Sequence, residues 1–132
     1  MPVLDTVALF AAADSNDRYN EAARKYLGKL SSSTYWLAAL AMVEFDVVLK
    51  SRGKSSDDRM EILALLIRDF PSISKKILTL TPEVFFLLAR IEKEQGLDYF
   101  DAGIAAESLR KDGIVISTDC EFDFVPELKR RW

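Results

Sequence analysis

Residues 98–119 read DYFDAGIAAESLRKDGIVISTD, and this stretch decides the fold. Asp98 is a helix cap by type, its carboxylate suited to accept from the N–H groups left free at a helix start. Residues 99–111 then continue as a helix with Asp101, Ile104, Ala105 and Ser108 on one face. Gly113 stops it, and Ile114, Val115 and Ile116 form a β-branched run of the kind buried on both faces of a parallel sheet. The strand runs straight into Ser117, Thr118 and Asp119, which places Asp119 at its carboxyl end.

The same alternation extends to both sides. Residues 2–5 read as a short buried strand ending at Asp5, and the apolar run 7–13 opens a helix. Asp14 or Ser15 caps a helix over 16–30, with Tyr19, Ala22, Ala23, Tyr26 and Leu30 in its stripe. A short strand over 34–36 precedes a helix over 37–51, where Leu37, Leu40, Ala41, Val47 and Val48 face inward. Asp57 or Asp58 starts a helix to residue 70 with Met60, Leu63, Ala64 and Ile67 inward, ended by Pro71. A strand over 77–80 follows. Thr81 caps the next helix, Pro82 opens it, and Val84, Leu87, Leu88 and Ile91 supply its core face before Gly96. Strands alternating with helices imply an α/β sandwich around a parallel sheet.

The chain has 132 residues, 49% apolar and 30% charged, so residues 1–132 are read as one globular domain. Having no histidine excludes a Ser-His-Asp triad and any histidine-ligated metal. Cys120 is alone, which excludes a disulfide and a thiolate cage and suits a reducing, cytoplasmic setting. No signal segment or membrane-length apolar run is evident. The five glycines, at 28, 53, 96, 103 and 113, are too far apart for a phosphate-binding loop. A net charge of -3 argues against a non-specific nucleic-acid binder, although residues 50–76 hold seven bases against four acids.

The informative residues are acids. Asp5 and Asp119 each follow a short strand, and open parallel sheets place their ligand crevice at that edge. Glu44 lies four residues from both Leu40 and Val48, on the core-facing stripe, where an unpartnered carboxylate costs several kcal/mol. Asp101 repeats the pattern in a first helical turn. If these four converge, their repulsion raises their proton affinity unless a cation sits among them. Hard oxygen donors without histidine or thiolate suit Mg2+ or Mn2+, which can activate water and offset charge on a phosphodiester. Asp98 is a cap first and a metal contact second. Asp14, Asp17, Asp57 and Asp58 read as caps or solvated helix starts, and Glu92, Glu94, Glu107 and Asp112 as exposed helical charge.

Val-Leu-Asp-Thr at 3–6, the inward Glu44, Asp-Ala-Gly-Ile-Ala-Ala at 101–106 and Ile-Ser-Thr-Asp-Cys-Glu-Phe at 116–122, in that order and spacing, resemble the PIN-domain family, in particular its small VapC-like toxin ribonucleases. The resemblance implies a three-layer α/β/α fold with a short parallel sheet. It also implies an acidic Mg2+ or Mn2+ pocket that hydrolyses RNA, with Asp5, Glu44, Asp101 and Asp119 as the catalytic and metal-binding acids. Thr6 and Thr118 are then carboxylate supports and Glu121 an auxiliary acid. A homodimer and a cognate antitoxin are the implied partners. Relatives often carry a basic residue where Cys120 stands.

Two other functions fit the same residues: a PIN-like RNA- or protein-binding adaptor without turnover, and a phosphoacceptor receiver domain. The receiver ranks below, since Asp5 has no adjacent acid and no lysine follows the last strand. Lys50, Arg52, Lys54 and Arg59 are candidate phosphate contacts, and Tyr35, Trp36, Phe85 and Phe86 read as core aromatics.

Overall fold

The computed structural model describes residues 1–32 and 34–132. Four short strands, β1 (Val3–Leu4), β2 (Trp36–Leu37), β3 (Ile114–Ile116) and β4 (Lys129–Arg131), form an all-parallel sheet in the order β2-β1-β3-β4. Among the described residues, six α-helices complete a three-layer α/β/α sandwich: α1 (Thr6–Ala13), α2 (Asn20–Gly28), α3 (Ala39–Ser51), α4 (Ser56–Asp69), α5 (Pro82–Gln95) and α6 (Tyr99–Leu109). Helix α1 packs on α2 and α5 on α6, while α3 touches α1, α4 and α6. No helix among the described residues is long and apolar enough to cross a membrane.

The register places the acids. Val3 pairs with Trp36 and Val115, and Leu4 with Leu37 and Ile116, so the two central strands end level. The N–H of Asp5 donates to the Ile116 carbonyl at 3.1 Å, which holds the first residue after β1 against the end of β3. Close contact between α3 and α6 depends on Gly103, because a Cβ there would stand 2.1 Å from Leu40 Cδ1 and 3.0 Å from Leu88 Cδ1.

Several expectations are corrected. The segment expected to begin a helix at residue 16 instead turns until Asn20, because Asp14 and Asp17 accept from the N–H groups of Asn16 and Tyr19 and turn the backbone away from helix. Helix α4 is capped by Ser55 in a reciprocal pair with Asp58. Its inward face is carried by Leu66, with Ile62 and Leu63 half-buried, and Met60 is 67% exposed. Ile67 and Val47 also face outward. The strand expected over 34–36 is instead Trp36–Leu37, and that over 77–80 is a single bridge between Leu37 and Ile77. Phe85 and Phe86 are exposed, Phe86 to 71%, so neither is core. β4 was not expected, since Lys-Arg-Arg carries no apolar signal: it is an edge strand held by its backbone.

Glu107 departs furthest from expectation. Read as exposed charge, it is 1% exposed, and its two oxygens accept from the N–H groups of Ala39 (2.7 Å) and Leu40 (3.0 Å) at the start of α3. Helix α3 has no side-chain cap of its own, since Ala38 stands at that position, and Glu107 supplies the acceptors from across the core.

Candidate metal centre

The carboxyl edge of the sheet, the first turn of α6 and the middle of α3 bring the four singled-out acids to one cleft of about 610 Å³. Asp5, Thr6, Glu44, Asp98, Asp101, Thr118 and Asp119 all line it. Asp5 is 5% exposed. Its Oδ1 accepts from Thr6 N at 2.6 Å and its Oδ2 from Ser117 Oγ at 2.7 Å. Thr6 Oγ1 donates to Glu44 Oε1, tying α3 to the start of α1. Asp119 N donates to Ser117 Oγ at 2.9 Å, so one buried hydroxyl locks Asp5 to the loop after β3. Asp98 caps α6 by accepting from Asp101 N at 2.9 Å, its expected first role.

Ser117 was not singled out in the sequence, and Thr118 was expected in its place. Thr118 lines the cleft, but among the described residues its hydroxyl supports no carboxylate. No local signal marked it: Ser117 directly follows β3 and is wholly buried, where an isolated hydroxyl needs a partner, but Val115 and Ile116 before it are buried too. Asp14 and Asp17, besides making their turns, form part of the cleft wall. Cys120 is exposed and lies outside that wall.

The electrostatics are those of an uncompensated anionic site. Burial pushes the Asp101 carboxyl up to about 8, helped by the charges of Asp98, Asp119, Asp5 and Glu44. Burial likewise raises Asp5 to about 6 against the lowering effect of the Ser117 and Thr6 hydrogen bonds. Glu44 is raised for the same first reason, with Asp98 and Asp119 adding to it and Thr6 opposing. Among the described residues no lysine or arginine forms an ion pair with any of these acids. Carboxylate oxygens of Asp101, Asp119 and Glu121 lie within 4.8 Å of one another. An all-oxygen set with this unmet negative charge fits a hard divalent cation. The basic side chain in the cleft wall is Arg52, whose guanidinium rests over the Phe10 ring, 4.9 Å from its centroid. Arg59, another candidate phosphate contact, is committed to Asp46 by two hydrogen bonds of 2.8 and 2.7 Å.

The model of the PIN domain matches residues 3–128. The chain belongs to the PIN-domain family. PIN domains are generally nucleases and typically use a divalent metal. No curated protein matches the sequence. Among solved structures, this PIN domain is similar to VapBC2 from Rickettsia felis, bound to a DNA fragment from their promoter. The TM-score is 0.72 at 13% identity, covering 98% of this chain and 96% of the other. It is also similar to FitAcB from Neisseria gonorrhoeae (0.71, 19%, covering 98% and 96%) and to PAE2754 from Pyrobaculum aerophilum (0.67, 19%, covering 98% and 87%). At these identities the likeness shows the PIN fold alone.

Proposed function

We propose that this PIN domain is a divalent-metal-dependent endoribonuclease, the toxin of a toxin–antitoxin pair acting in the cytoplasm, with Asp5, Glu44, Asp101 and Asp119 as its catalytic acids. The observation that carries the reading is the convergence of these four carboxylates in one cleft, none of them ion-paired with a lysine or arginine among the described residues. Mg2+ or Mn2+ held there would polarise the phosphodiester and lower the pKa of water. The protein's own contribution is to fix the oxygens: Ser117 and Thr6 orient Asp5 and Glu44, Asp98 and Asp119 steady the neighbouring backbone, and Glu121 adds an auxiliary oxygen. Arg52 is placed to take a substrate phosphate at the cleft wall. The exposed Val43, Val47, Met60, Ile67 and Phe86 offer apolar surface for an antitoxin or a second copy of the chain.

The test is purified protein with Mn2+ and a panel of labelled RNAs, wild type beside Asp5→Asn. Cleavage is expected to fall by at least about 100-fold in the variant with its melting transition retained. A fully active Asp5→Asn protein rejects the reading. Wild-type protein that binds RNA without cutting it favours the adaptor.

A further inference from the structure

Outside the acid cleft, four aromatic rings form a continuous chain of contacts. Tyr19 meets Trp132 at 5.5 Å between centroids, Trp132 meets Tyr26 at 5.2 Å, and Tyr26 meets Tyr35 at 6.2 Å. All four are half-buried, so part of each remains accessible. Beside the touching Tyr26–Trp132 pair lies a slot of about 310 Å³, lined by the two rings with Ala22, Lys25 and Lys29. Lys29 Nζ stands 5.1 Å from the centroids of both Tyr26 and Tyr35 and forms no ion pair among the described residues, while Lys25 Nζ makes an exposed pair with Glu21 at 3.1 Å, of the weak kind a phosphate can displace. Arg18 covers Tyr19 at 4.6 Å.

Two members of the aromatic chain, Tyr19 and Trp132, are tied through the backbone to the acid cleft. Asp17, which lines the cleft, accepts from Tyr19 N at 2.7 Å. Arg131, the residue before Trp132, accepts from the N–H of Ser117, whose hydroxyl holds Asp5. The aromatic chain therefore starts at the edge of the cleft and leads away from it. A cleft lined with acids repels a nucleic-acid backbone, so a polyanionic substrate has to be gripped by cations beside it. Aromatic rings next to basic side chains are the combination that holds single strands: the rings take bases with little regard to sequence, and the cations take phosphates.

We propose that the Tyr26–Trp132 slot is a docking site for one nucleotide of single-stranded RNA, its base against the two rings and its phosphates on Lys25 and Lys29, outside the cleaved position. The proposal rests on RNA being the substrate. It is tested in the Asp5→Asn background, where binding is read without cleavage, by fluorescence anisotropy of labelled oligouridylates of about four and about sixteen nucleotides. Trp132→Ala and Lys29→Gln are expected to weaken the long oligomer by about ten-fold. With Mn2+ present to offset the cleft acids, the short one, which cannot span the cleft and the slot together, should be unchanged. Lys29→Gln should also flatten the salt dependence by about one unit of log K against log salt, and Trp132→Phe should restore affinity for the long oligomer.

Long-oligomer affinity unchanged in both variants overturns the proposal, as does an equal loss for both lengths, which marks a purely structural role. Failure to bind either oligouridylate overturns it too. An effect confined to a protein partner, with RNA affinity intact, does the same. Wild-type protein that never cuts RNA but shows the length-dependent loss rejects the nuclease reading and leaves the slot standing.

Discussion

Ser117 shows how a single hydroxyl can govern a charged site. It donates to Asp5 and accepts from Asp119 N, and it is the strongest influence lowering Asp5 against the effect of burial. Ser117→Ala removes both bonds without adding bulk, so the Asp5 carboxyl should hold its proton more tightly and turn less readily toward a cation. Loss of such an orienting partner costs about 10- to 100-fold in metal affinity. Titration calorimetry with Mn2+ near neutral pH should show a loss of that order, and an unchanged affinity would make Ser117 a packing residue. The four catalytic candidates were legible residue by residue because a carboxylate after a buried strand or on an apolar stripe is anomalous in the sequence alone. Ser117 was not, because a serine after a strand is an ordinary turn residue until its burial is known.

At the scale of elements, the placement of α3 depends on Glu107 of α6. Glu44 rides on α3, and the first turn of α3 is satisfied by a carboxylate 67 and 68 residues away in sequence. Glu107→Ala strands two donors, Leu40 N–H buried and Ala39 N–H half-buried, at about 1–3 kcal/mol for a buried group so stranded. A fall in the urea midpoint with an unchanged slope, together with weaker Mn2+ binding, is the expected result. A variant as stable as the parent would show that the two bonds do not hold α3. Helix positions were readable from caps and stops such as Asp98, Pro82 and Gly96. Which side of a helix faces inward was less so: Met60 and Ile67 match the core period as well as Ile62 and Leu66 do, and the choice between them is made by what α4 packs against.

At the scale of the whole molecule, the buried acids couple folding to pH and to metal. Asp5 and Asp101 are raised to about 6 and about 8, above their unfolded values, so the native state binds these protons more tightly than the unfolded chain. The stability they contribute is fully present below about pH 4 and is lost as pH rises through those values. A divalent cation competes with the same protons and stabilises by mass action. Thermal melts with and without Mn2+ should therefore show a larger increase in Tm near pH 8 than near pH 5, and an increase independent of pH would place the ion elsewhere. By itself, the amino-acid sequence determined the α/β class, the parallel alternation and the identity of the anomalous carboxylates, because these follow from local periodicity, capping chemistry and the cost of burying charge. The tertiary structure alone decided the edge strand β4, the burial of Glu107, the Ser117 lock and the aromatic slot, because each joins residues far apart in the chain through backbone bonds or packing that leave no local pattern.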